Sequence, residues 1–203
     1  MKILMVDVDG VLVSGRPADG LPAFTDAKRD LGLDMAWLQQ HFFTPYWADI
    51  VSGREQIEPR LQAVLAEIAP HLDVEEVLRY WFENDSRLDQ RLLDDLATLR
   101  ATGTKLYLAT NQEHRRAAWL MQHLGFADRF DGIFYSAALG HKKPSAAFFE
   151  IATRQAGVDP GDIGFIDDAA QNIEAARQCG WAAVQWQPGM MLETALAEMR
   201  SQR

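Results

Sequence analysis

Two aspartates, Asp7 and Asp9, flank Val8 at the end of the apolar run Ile3–Val6, and Gly10 follows to turn the chain. In an extended segment residues two apart face the same way, so both carboxylates are held together. Like charges at that separation raise each other's pKa, and a divalent cation that favours carboxylate oxygen, as magnesium does, relieves the repulsion. A second acid pair, Asp167 and Asp168, stands directly after the apolar run Ile163–Ile166, with Asn172 four residues beyond Asp168. Adjacent acids are poor strand formers, so their position invites a metal role. Thr110 and Asn111 end the run that begins at Lys105. A hydroxyl and backbone N–H groups at a helix start make an anion site. Lys142 and Lys143 precede Pro144 and another helix, where a lysine can neutralise a phosphate or a crowded carboxylate. Each feature has a plainer reading: a strand-ending turn, a helix cap at Thr110 or Asn111, a solvated lysine pair, a capping pair of acids. All four together, each at the carboxyl end of a predicted strand or in the loop beyond it, describe a site for magnesium and a phosphate group.

The elements that must position these residues are legible as two periodicities. The runs Ile3–Val6, Lys105–Ala109, Ile133–Tyr135, Ile163–Ile166 and Ala182–Trp186 lack alternation, which suits strands buried on both faces. Helical spacing separates them: Leu92, Leu93, Leu96 and Leu99 before Gly103; Ala117, Leu120, Met121 and Leu124 before Gly125; Phe148, Phe149, Ile151 and Ala152 between Pro144 and Gly157; Ile173, Ala176 and Cys179 before Gly180. The alternation predicts an α/β fold, a Rossmann-like parallel sheet covered by helices on both faces. Residues 14–86 break the rhythm. They hold no convincing strand and predict helices near Met35–Phe43, Arg54–Ala69 and Val74–Glu83. The chain therefore divides into a core of 1–13 and 87–203 and an inserted helical cap of 14–86. Ligands of open α/β sheets bind at the carboxyl ends of the strands, so the insertion would sit above the site as a lid.

Composition narrows the classes. The 203 residues are 48% hydrophobic and 24% charged, an ordinary globular balance that excludes a disordered or low-complexity chain. The net charge of −9, with no basic run, argues against a nucleic-acid partner. One cysteine, Cys179, excludes an intramolecular disulfide and a thiolate zinc cluster. No run of 18 apolar residues offers a membrane span, and the acids in MKILMVDVDG interrupt any signal-peptide pattern. The cytoplasm is the expected compartment. Oligomeric state is left open.

The stretches VDVDGVLV, LATN, GHKKPSAAFF and FIDDAAQNIEAA resemble the four motifs of the haloacid dehalogenase-like superfamily. The resemblance covers nearly the whole chain, and the insertion matches the family's small helical cap in position and length. It implies a magnesium-dependent phosphomonoester hydrolase acting on a small phosphorylated metabolite. Asp7 would be the nucleophile that forms an aspartyl-phosphate. Asp9 would be the general acid/base and would help hold magnesium through its carbonyl. Thr110, with Asn111 and neighbouring N–H groups, would bind the phosphoryl group. The family lysine stands directly before proline, which favours Lys143 over Lys142. Asp168 aligns best with the metal-binding acid, Asp167 falls where members vary, and Asn172 replaces a frequent acid. A phosphomutase and a non-catalytic phosphate-binding protein are the alternatives. Dehalogenases of the family lack the second aspartate, which is present here as Asp9.

The five histidines share no metal-like spacing and read as surface or packing residues. Cys179 reads as core, as do Trp119, Trp181 and Trp186 in core elements. Trp37, Trp47 and Trp81 fall in the insertion, with Trp47 read mainly as packing. Arg54 follows Gly53 just before the middle cap helix. It is a candidate contact to the distal part of a substrate, the plainer reading being an ion pair with Glu58 one turn on.

Overall fold

Ile3–Val6 forms β1, and its side chains are buried on both faces. Leu4 and Val6 join one apolar cluster, Ile3 and Met5 another, as the period of two requires. Each such side chain contributes about 1.5–3 kcal/mol on burial. The computed structural model describes residues 1–202. The other strands are β2 (Lys105–Thr110), β3 (Gly132–Tyr135), β4 (Ile163–Asp167) and β5 (Ala182–Gln185). All pairings are parallel and the order is β3-β2-β1-β4-β5. Val6 lies opposite Leu108 on one side and Ile166 on the other. The residues just beyond, Asp7, Ala109 and Asp167, therefore come level.

Between β1 and the rest of the sheet lie α1 (Ala27–Asp30), α2 (Met35–Leu38), a π-helical turn at Gln39–Phe43, α3 (Thr44–Ile50), α4 (Ile57–Ile68) and α5 (Val74–Asn84). The predicted Met35–Phe43 helix is thus part of a longer helical run to Ile50. The middle helix starts at Ile57, not Arg54, because Gly53 is left-handed (φ 71°) and Gln56 is extended. These helices share a cluster of their own, including Leu38, Phe42, Leu61, Leu65, Val77 and Phe82.

The covering helices are α6 (Gln90–Ala101), α7 (His114–Gln122), α8 (Phe126–Arg129), α9 (Ser136–Leu139), α10 (Ala146–Ala156), α11 (Ala170–Gln178) and α12 (Leu192–Ser201). The leucines of α6, Leu120 of α7 and Met199 of α12 pack on Leu4 and Val6. Phe148 and Phe149 of α10 and Ala176 of α11 pack on Ile3 and Met5. Pro144 lies ahead of α10, whose N-cap is Ser145. Cys179 is the half-buried C-cap of α11 rather than a core residue. Trp119 leaves the core it was assigned to and packs against the inserted helices, its ring 5.8 Å from Phe82. Trp47 packs against Phe43 and Trp81. No helix among the described residues is long and apolar enough to cross a membrane.

Candidate active site

Lys143 is the hub of the strand ends. Its side chain is 1% exposed, and Nζ lies 2.9 Å from Asp7 Oδ1 and 2.5 Å from Asp167 Oδ2. It also donates to the Ala109 carbonyl at 2.8 Å. An ammonium has three donors, and all three are used. Lys142 is exposed. Asn111 fixes the lysine's backbone from β2: its Oδ1 accepts from Lys143 N at 2.8 Å and its Nδ2 donates to Lys143 O at 3.0 Å. Its side chain is therefore engaged with the lysine loop. The cap of α7 is Glu113, which accepts from Arg115 N at 2.7 Å and from Arg116 N. Thr110 and Asn111 are free of the capping role considered for them.

Asp7 is 8% exposed, and its Oδ1 accepts from Val8 N at 2.8 Å. Burial pushes its carboxyl up to about 7, against the pull of Lys143, and Asp167 and Asp9 push the same way. The Asp9 residue keeps access to solvent, yet burial of its carboxyl pushes it up to about 6; Asp85 adds to the shift, and Arg116, Gln112 and Lys143 oppose it. Asp167 is fully buried. Its Oδ1 accepts from Ala169 N at 2.8 Å and Asn172 Nδ2 at 3.0 Å, and its Oδ2 accepts from Asn172 Nδ2 and Lys143. Asp168 is exposed, and burial of its carboxylate environment followed by Asp167 raises its pKa. A Cβ on Gly10 would fall 2.3 Å from Asp168 Oδ2, so only glycine lets the turn after Asp9 approach the second acid pair.

Asp7, Asp167 and Asp168 each offer an oxygen within 4.8 Å of the others. An all-oxygen carboxylate set of this kind fits a small hard dication such as magnesium. Thr110 is 1% exposed at the end of β2, beside Ala109, whose carbonyl holds Lys143.

Arg54 is not brought to this cluster. Its guanidinium pairs with Asp49 at 2.6 Å and is more than half exposed. The expected partner Glu58 pairs instead with Arg115 of α7 at 2.7 Å, because Arg54 precedes the helix and lacks the one-turn relation.

Three residues went unread in the sequence. Gln112, 3% exposed, donates from Nε2 to Asp9 Oδ2 at 2.7 Å. Its place directly after Asn111, at the carboxyl end of β2, was the available signal. Arg116 is 2% exposed. It donates to the Phe82 carbonyl at 3.2 Å and to the Asp85 carbonyl, and pairs with the Asp85 carboxylate at 3.4 Å. Its helical spacing with Ala117 and Leu120 marked it as inward-facing. Asp85 had no local signal.

The chain is similar to known proteins at three levels. A phosphoglycolate phosphatase of Chromobacterium violaceum is 35% identical over 45% of this chain and 41% of its own length. The chain thus spans less than half of that relative. A D-ribitol-5-phosphate phosphatase of Bacteroides thetaiotaomicron is 27% identical over 93% of both chains. A crystal structure of a HAD family enzyme from the same organism, in complex with magnesium and inorganic phosphate, superposes with a TM-score of 0.79 at 19% identity, covering 96% of this chain and 98% of that one. That last likeness speaks to the fold. Residues 1–180 match the model of the haloacid dehalogenase-like hydrolases, and the chain belongs to that family.

Proposed function

We propose that this hydrolase is a magnesium-dependent phosphatase that cleaves a small phosphorylated metabolite, such as a sugar phosphate, through an aspartyl-phosphate. The observation that carries the reading is Lys143 Nζ held between Asp7 and Asp167 at 2.9 and 2.5 Å, with Asp168 completing the acid cluster. Asp7, Asp168 and the Asp9 carbonyl would hold magnesium, with Asp167 the further acid. When bound, the ion supplies positive charge against the phosphoryl oxygens. The names of the relatives, phosphatases of phosphoglycolate and ribitol phosphate, support a small phosphate ester as substrate.

In this reading an Asp7 oxygen bonds to phosphorus while the ester bond to the leaving oxygen breaks. Asp9 gives that oxygen its proton. Asp9 then takes a proton from a water that attacks the phosphorus, freeing inorganic phosphate and restoring Asp7. Lys143 favours the ionised Asp7 and offsets charge on the transferring group. The Thr110 hydroxyl and the N–H groups beyond β2 orient the phosphoryl. The role left to the Asn111 side chain is to hold the lysine loop.

The test is phosphate release from a panel of phosphorylated metabolites with magnesium and with chelator. Stoichiometric phosphate, lost in chelator and restored by magnesium, is expected. Full activity in chelator contradicts the metal role, and an isomeric ester accumulating without free phosphate contradicts the hydrolase.

A further inference from the structure

We propose that Gln112 is a positioning residue for Asp9, fixing which carboxyl oxygen is turned to the leaving alcohol. The inference rests on the phosphatase reading above. The side-chain amide is buried, and Nε2 donates to Asp9 Oδ2 at 2.7 Å and reaches Thr110 Oγ1 at 3.5 Å. An amide nitrogen has two donors and no acceptor, so the two contacts account for both.

The backbone of Gln112 is pinned as firmly. Its carbonyl accepts from Ala137 N at 3.2 Å and lies as close to Ser136 Oγ. Ser136 Oγ also contacts the Val51 carbonyl of the inserted helices at 2.5 Å. Gln112 thus joins the proposed acid/base, the proposed phosphoryl-binding hydroxyl and the seat of the helical insertion through one residue.

The consequence is geometric. The amide engages Oδ2, so Oδ1 is the oxygen left free to pass a proton. As Asp7 bonds to phosphorus, the electron pair of the breaking P–O bond stays on the ester oxygen. That oxygen takes the proton from Oδ1, leaving Asp9 as a carboxylate for the water step. Without the amide, the carboxyl rotates and its proton is spread over both oxygens and several directions, and the proton transfer loses its alignment.

The experiment compares wild type, Gln112→Ala and the volume-matched Gln112→Met by kcat/KM on two esters. One is the alkyl phosphate that the wild type turns over fastest. The other is p-nitrophenyl phosphate, whose leaving group departs as a stable anion. Because kcat/KM covers only the steps up to departure of the leaving group, the water step does not blur the comparison. Both variants should lose about tenfold or more on the alkyl ester and stay within about threefold on p-nitrophenyl phosphate, since proton donation of this kind is worth roughly 100-fold or more in full. Equal losses on both esters would make Gln112 structural, and unchanged kinetics would remove it from the site; either overturns the proposal with the phosphatase reading intact. A wild type inert toward every ester overturns that reading, and this inference with it. Thermal melts identify a variant that fails to fold, and Gln112→Met then carries the comparison.

Discussion

At the residue scale the site is a charge problem. Four aspartates, Asp7, Asp9, Asp167 and Asp168, face one ammonium whose donors are already committed to Ala109, Asp7 and Asp167. Burial therefore dominates at Asp7 and lifts it from the ordinary 3.8 to about 7. An acid with a higher pKa folded than unfolded takes up protons on folding, so its contribution to stability falls as pH rises. For Asp7 that contribution is present at low pH and is lost between the ordinary 3.8 and about 7. Asp9 acts in the same direction, weakened by its open face. In chelator the protein should melt at a higher temperature at pH 5.5 than at pH 8, and Asp7→Asn should flatten that difference. Magnesium should raise the melting temperature more at pH 8, where the ionised acids bind it without first losing protons. Melting temperatures at the two pH values, with and without magnesium, check both statements. A magnesium shift that is equal at both would put the cation elsewhere.

At the element scale two arginines of α7 tie the sheet to the inserted helices, and they differ by burial. Arg116 is enclosed by Phe82 and Asp85 of the α5 end. Arg116→Met strands two carbonyls and a carboxylate, and should cost about 2–4 kcal/mol. Arg115, 38% exposed and paired with Glu58 and Glu75, should cost under about 1 kcal/mol when changed to alanine. Urea midpoints at unchanged slope measure the difference. A Cβ on Gly53 would meet the Ala137 carbonyl at 2.1 Å, so the loop before α4 sits directly on the core, while Arg54 turns to Asp49. Arg54→Ala should accordingly change kcat/KM on an alkyl phosphate by less than about threefold. A tenfold loss confined to an ester with a distal group would place Arg54 on the substrate instead. The strands were legible because unbroken apolar runs such as Ile163–Ile166 permit little else. The start of α4 was not, since Ile57, Leu61 and Leu65 give the period but not the cap. Arg116 was not read because one arginine on an apolar stripe carries no sign of the carbonyls at the α5 end that come from 31 and 34 residues away.

At the scale of the whole molecule, function follows from strand order. The sequence reading placed acids, hydroxyl and lysine at strand ends, but their meeting depends on β1 lying between β2 and β4. That order joins segments far apart in the chain and has no local signal; the four motifs gave it only through their resemblance to a family. The same order explains Gln112, which reaches Asp9 across the β1–β2 boundary. The insertion leaves the sheet after β1, is seated beyond the end of β3 through Val51 and Ser136, and brings Asp85 to act on Asp9. The central claim is that Asp7 accepts the phosphoryl group. It is tested most directly by kcat/KM of magnesium-saturated Asp7→Asn on the best ester of the panel, with the fold checked by circular dichroism. A folded variant with activity reduced by about a thousandfold or more is the predicted result, since an amide cannot form the acyl-phosphate. A folded variant that keeps more than about a tenth of the wild-type value would contradict it.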